Sequence, residues 1–162
     1  MRVIRFFSVL ALSFAITLPA LADDADGILG VWLTDDGLAR VEIVKDGDVY
    51  DGRIVWLKEP LYPAGDKDHM DGKPKVDREN PDKTLQSRPI MGLPLIQGFK
   101  YDGDNVWKDG TIYDPKSGGL YSCKLTLRMD GTLKVRGYRG ISLFGETHIW
   151  TRPPPDNSTP QP

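Results

Sequence analysis

Cysteine is nearly absent: Cys123 stands alone in 162 residues, so no intramolecular disulfide can form in any compartment. The fold must rest on its core and its hydrogen-bond ladder. Cys123 shares a strand face with Tyr121 and Leu125, the place of a small buried hydrophobe rather than a reactive thiol. Histidine is almost as scarce. His69 and His148 lie far apart, so a zinc site would need carboxylates to complete it. Asp66, Asp68, His69 and Asp71 crowd together, but Met70 holds the fifth position of a calcium loop, Gly72 comes one residue late, and the twelfth position is Asp77, not glutamate. No metal and no cofactor are expected. There is no Gly-x-Ser-x-Gly, no phosphate-cradling glycine loop and no histidine beside the cysteine, so the enzymatic reading is the weak one. Asp114 with His148 is a conceivable acid–base pair if the fold joins them. Asp114 before Pro115 is explained equally by turn formation.

An excess of one charge is also missing. Taking Arg2 and Arg5 from the 21 basic residues leaves 19 against 23 acidic ones, about −4 for the chain after its first 22 residues. Such an interspersed, mildly acidic chain has no electrostatic footprint for nucleic acid and no polybasic membrane patch. Long apolar runs occur once. Arg2 and Arg5 precede the run Phe6–Leu18, and Leu18-Pro19-Ala20-Leu21-Ala22 ends in small residues, the pattern of a signal peptide over residues 1–22 cleaved near Ala22. The run is shorter than the roughly 20 residues of a bilayer span, so no transmembrane anchor is expected in the mature protein. The expected location is periplasmic or secreted. Residues 23–152 then form one domain, and 153–162 a disordered proline-rich tail.

What is present in abundance is short alternating strands separated by glycine turns. Ile28–Thr34 reads as a first strand, and Asp35-Asp36-Gly37 as a turn. Val41 and Ile43 alternate with Arg40 and Glu42, and Asp46-Gly47 is a hairpin signal. From Asp48 to Leu57, Tyr50, Gly52, Ile54 and Trp56 share one parity, with Gly52 marking a bulge or bend. Lys58–Pro89 has no period, and at that length should be functional, partly helical or disordered. Asn80 as N-cap and Pro81 at the first helical position predict one short helix over Pro81–Ser87. Ile90–Phe99, broken by Gly92, Pro94 and Gly98, reads as an irregular or edge strand. Asp102-Gly103 and Asp109-Gly110 read as turns around a brief Val106-Trp107 strand. The most coherent stretch is Asp109–Leu125: strand, a turn at Asp114-Pro115 and Gly118-Gly119, and a second strand alternating Tyr121, Cys123, Leu125 and Leu127 with polar residues. Asp130-Gly131 closes it onto Thr132–Gly140, and Glu146–Arg152 is the last strand. Eight or nine antiparallel strands joined by tight turns predict a small all-β, up-and-down β-barrel, in which closure removes exposed edges.

Gly30-Val31-Trp32 resembles the Gly-x-Trp signature of the calycin superfamily, the lipocalins and their relatives. In those barrels an arginine near the end of the last strand packs across the tryptophan, and Arg152 stands in the corresponding place. A longer resemblance covers nearly the whole domain and is to the bacterial domain-of-unknown-function family 2147. It runs through Gly52-x-Ile54-Val55-Trp56-Leu57, Asp77-x-x-Asn80-Pro81-Asp82, Arg88-Pro89-x-x-Gly92-Leu93, Gly110-x-Ile112-Tyr113-Asp114-Pro115, Gly119-x-Tyr121, Leu133-x-Val135-x-Gly137-Tyr138 and Gly145-x-Thr147-x-x-Trp150-Thr151-Arg152. The resemblance implies a lipocalin-like barrel, with Gly30, Trp32 and Arg152 at its closure, and no chemistry.

Closing about eight strands leaves an interior either filled by side chains or holding one small ligand. With Tyr50, Trp56 and Tyr121 inward, the interior would suit an apolar or amphipathic molecule. Leu133, Val135 and Gly137 share a face, so Arg136 is solvated and Arg139 points inward unless Gly137 is a bulge; an inward arginine pairs with a carboxylate from the protein or a ligand. Glu146, His148, Trp150 and Arg152 share one parity, and if Trp150 is inside, His148 approaches the cavity or its rim. The expected ligand contacts are therefore Tyr50, Trp56, Tyr121, Arg139, His148 and Trp150. Two functional readings follow: a non-catalytic ligand-binding barrel with Lys58–Pro89 covering or flanking one end, or an envelope interaction protein whose filled barrel is a scaffold for that insert and the Ile90–Phe99 segment, which contact a partner.

Overall fold

The structure is a computed structural model that describes residues 24–140 and 145–155. The expected signal peptide and residues 156–162 of the expected tail lie outside the described residues. Eight antiparallel strands follow one another in a single meander: β1 (Gly30–Leu33), β2 (Ala39–Asp46), β3 (Val49–Leu57), β4 (Pro94–Tyr101), β5 (Val106–Asp114), β6 (Gly119–Leu127), β7 (Leu133–Tyr138) and β8 (Gly145–Trp150). The sheet curls until Leu33 and Thr151 exchange two backbone hydrogen bonds, of 2.8 and 3.0 Å. The seam is thus a single bridge among the described residues. Among these, no helix is long and apolar enough to cross a membrane.

The period of two places Val41 and Ile43, Tyr50 and Ile54, Cys123 and Leu125, and Leu133 and Val135 inside, where all are buried. Burial pushes the Cys123 thiol up to about 12.

Several elements depart from the sequence reading, each for a local reason. Asp109-Gly110 is not a turn: β5 runs through it, with Asp109 at φ 65 as the extra residue of a bulge between Trp107↔Leu125 and Gly110↔Cys123. A side chain at Gly110 would collide with the Phe99 ring, so this glycine lets two inward positions meet. The Ile90–Phe99 segment is not an edge. β4 pairs with β3 and β5, because Pro94 is its first residue, where a missing N–H is tolerated, and Gly98 at φ 77 absorbs a kink.

The expected helix is one 3-10 turn, Lys83–Leu85, capped by Asp82 rather than Asn80. The Asp82 carboxylate accepts from the Thr84 N–H at 2.9 Å, while Asn80, buried in a polar cluster, accepts from the Asp82 N–H at 2.8 Å one step before the turn. The rest of the insert is irregular but bonded. Leu61 bridges Pro74, Val76 bridges Pro89, and the Tyr62 hydroxyl donates to the Val76 carbonyl at 3.1 Å. The acidic loop considered for calcium is organised by Arg78, whose Nη1 lies 2.9 Å from Asp66 and 3.0 Å from Asp68. Among the described residues no three ligating side chains converge.

Candidate functional site

The two ends of the barrel are built differently. At the end bearing the N-terminal segment, Trp32, Tyr50, Phe99 and Trp107 are buried together. Trp32 donates from Nε1 to the Ile28 carbonyl at 2.8 Å, and the Arg152 guanidinium lies 3.7 Å from the centre of its ring. That guanidinium also donates to the carbonyls of Gly27 and Val31, at 2.9 and 3.3 Å. Gly30 is at φ +96, and a Cβ there would sit 3.3 Å from the same guanidinium. This end is closed.

At the other end a cavity of about 670 Å³ opens, with Leu95, Ile112, Val135 and Trp150 as its apolar wall. The emptiness follows from a gradient of side-chain size. Along β7 the inward residues shrink from Leu133 through Val135 to Gly137, and Gly145, paired with Tyr138, borders the mouth. The mouth is polar. Asp35, Asp36, Asp114, Glu146, His148, Arg139, Tyr113, Tyr121 and Tyr138 all border it. His148 Nδ1 stands 2.7 Å from Asp35 and its Nε2 is 3.8 Å from Glu146. Burial alone would raise the Asp36 carboxyl, but the Thr34 hydroxyl, the Leu38 N–H and Lys116 outweigh it and hold Asp36 below the usual range.

Among the residues singled out from sequence, Tyr121, Arg139, His148 and Trp150 come together around this cavity. Tyr50 does not. It belongs to the closed end, edge-on to Trp107 with centroids 6.1 Å apart, and its hydroxyl donates to Asp26 at 2.9 Å. Trp56 is displaced because Val55 is an extra residue opposite the Arg40/Val41 step, which reverses the parity beyond Ile54. Its ring carries the Arg40 guanidinium at 4.8 Å and lies outside the core cluster. Arg139 is exposed, with its guanidinium 4.6 Å from the centre of the Tyr121 ring rather than against a buried carboxylate. Arg136 faces outward and donates to the Thr147 hydroxyl at 2.8 Å.

A second polar assembly, not anticipated from chemistry, fastens the insert to the mouth. The Asp77 carboxylate is fully buried; it accepts from the Tyr113 hydroxyl at 2.7 Å, the Asn80 amide at 2.8 Å and Arg88 Nε at 2.8 Å. Burial, and then the hydrogen bond to Asp77 and its charge, raise the pKa of the Tyr113 phenol. A Cβ on Gly118, in the β5–β6 turn, would run into the Glu79 carbonyl. The insert and the turn therefore fit each other closely. A second cavity of about 550 Å³ lies between them and shares Thr34, Asp36, Leu95, Asp114 and Pro115 with the first. The signal that could have exposed the clamp was Asp77, Asn80 and Arg88 standing in a segment with no apolar period.

With this geometry in hand, the comparisons agree. Residues 30–152 match the family described as an uncharacterized protein conserved in bacteria, DUF2147, and the chain belongs to it. Among solved structures it is similar to one described as "Protein HP1028 from the human pathogen Helicobacter pylori belongs to the lipocalin family", with a TM-score of 0.65 and 19% identity over 79% of this chain and 84% of that one. At that identity the likeness is one of fold. No curated protein matches the sequence.

Proposed function

We propose that this is an exported, non-catalytic lipocalin-like barrel that takes one small apolar or amphipathic molecule into the cavity at its open end, with the insert flanking the mouth. The observation that carries this reading is the cleft of about 670 Å³ at the open mouth, the size of a small-molecule site, where Ile112 and Tyr121 lie under a polar rim. Export rests on the N-terminal sequence pattern. Native mass spectrometry of the protein purified from its own envelope should show a retained small molecule. A protein that retains no small molecule and fails to take up an apolar fluorescent probe would remove the proposal.

One observation favours a second reading. Asp114, Glu146 and His148 border the same cavity, and Asp35 orients the imidazole, as an acid–base site requires. Asp114, however, accepts from Lys116 N–H and the Ser117 hydroxyl, at 2.9 and 2.6 Å, and is committed to its turn. Hydrolysis of an acyl or phosphoryl ester that is lost in His148→Ala would favour the catalytic reading over the binding one.

A further inference from the structure

The outer faces of the barrel differ in how they place charge. On β2 and β3, Glu42 stands opposite Arg53 in the register, and the two side chains pair at 3.0 Å. On β6 and β7 the register instead sets Lys124 opposite Arg136, with Lys134 two residues before Arg136 on the same face. Like charges directly opposite one another destabilise a sheet. The outward positions of β6, β7 and β8 hold no carboxylate to relieve them, since Glu146 stands opposite inward Gly137 and belongs to the other face. Among the described residues neither Lys124 nor Lys134 enters an ion pair, and Arg136 donates to the Thr147 hydroxyl at 2.8 Å. Carboxylates at the borders serve other cations: Asp130 lies 3.3 Å from Arg128, while Asp102, and then Asp109 in the β5 bulge across from Lys124, hold the Lys108 amine above its usual range. The chain's overall negative charge does not cancel this face. At physiological salt, charges act over about 8 Å, so an approaching surface meets the face and not the total.

Toward the mouth the same face carries Leu120, which is 59% exposed and stands opposite the rim residue Tyr113. Cations beside an exposed apolar side chain suit a headgroup layer, where phosphates meet the charge and the leucine reaches the acyl boundary. A soluble polyanion would have no use for Leu120. We infer that the outer face of β6–β8 docks the protein on a bilayer bearing anionic phospholipids and so brings the mouth of the cleft to the headgroups. The order of residues indicated no such patch, because Lys124, Lys134 and Arg136 come together only through the β6–β7 register. The inference goes beyond the ligand-binding reading and does not depend on what the cleft holds.

Flotation of the protein purified from the envelope with vesicles of phosphatidylcholine, and with vesicles that also contain phosphatidylglycerol, tests it. Binding should require phosphatidylglycerol and fall in high salt. Lys124→Gln and Lys134→Gln should each weaken it about fivefold, the effect of one cation at an anionic surface. Arg53→Gln, on the charge-paired face, should leave it unchanged, and Leu120→Ser should weaken it without altering its salt dependence. Equal binding to both kinds of vesicle, or a loss in Arg53→Gln as large as in Lys124→Gln, would overturn the inference. Full binding by Leu120→Ser, together with complete displacement by heparin, would overturn it in favour of a soluble polyanion. An apolar fluorescent probe, added to the same protein, separates this inference from the ligand-binding reading. Probe uptake without docking would sink the inference alone, and docking without probe uptake would uphold it and sink the other.

Discussion

The closed and open ends of this barrel are made by the same strands with the same alternation, yet one is sealed by large rings and the other opens into a polar-rimmed cleft. At the closed end the inward positions are large and meet across the axis: Trp32, Tyr50, Phe99 and Trp107 are each at most 1% exposed. Toward the open end the inward position on β7 becomes Gly137, with Glu146 opposite it, while the rings of Tyr113 and Tyr121 stand at the rim. Side-chain volume, not backbone topology, divides the molecule into a structural half and a half with room for a ligand. The polar groups divide in parallel. Arg152 at the closed end is held by carbonyls and a ring, whereas Asp35, Glu146 and His148 at the open end border space.

The sharpest way to break this contrast is at the closed end. Trp32→Ala removes a buried indole and the platform for Arg152, and should cost about 3–5 kcal/mol in denaturant unfolding. If that substitution proves as mild as a rim change such as Glu146→Gln, the closed end is not the stabilising half. Asp77→Ala comes next, at about 2–3 kcal/mol, below a fully buried pair because the Arg88 side chain is 34% exposed and can turn to water. Hydrogen exchange should rise in Lys58–Pro89 before it rises in β1–β8. A uniform rise would mean that the insert and barrel unfold as one.

Smaller still is an effect of alkali. A phenol whose pKa is raised on folding stabilises the native state fully below its ordinary value of 10.0, and that contribution is lost as pH rises through the raised value. Titrating past that range should therefore loosen the Tyr113–Asp77 clamp, seen as faster proteolysis of the insert, and Tyr113→Phe should remove that pH dependence. Gly137→Leu should have the least effect on stability, under about 1 kcal/mol, since it fills space instead of displacing atoms. A large loss there would show that the open end is as tightly packed as the closed one.

Much of the architecture was legible in the chain because hairpins are local. The parity of Tyr121, Cys123 and Leu125 and the Asp130-Gly131 turn need only neighbouring residues to be read, and β6 and β7 follow them. Errors arose where one glycine pattern has two outcomes. Asp109-Gly110 has the letters of a turn and the role of a bulge, because Leu125 and Cys123 across the strand keep β5 extended on either side of it. Trp56 was misplaced by the single extra residue Val55, since one insertion reverses all the parity beyond it. The series Leu133, Val135, Gly137 was visible on one strand, but which end of the barrel it would fall at was not.

By itself the sequence determined an all-β meander, the absence of disulfide staples and the inward faces of the strands without a bulge, because alternation and turn chemistry act over a few residues. Only the tertiary structure decided that Asp35, Glu146 and His148 meet at one mouth, and that Asp77 holds Tyr113, Asn80 and Arg88 together. Those groups lie up to 113 positions apart along the chain. Their meeting depends on how tightly the sheet curls, which is set jointly by the bulges, the inward glycines and the volume of the closed end.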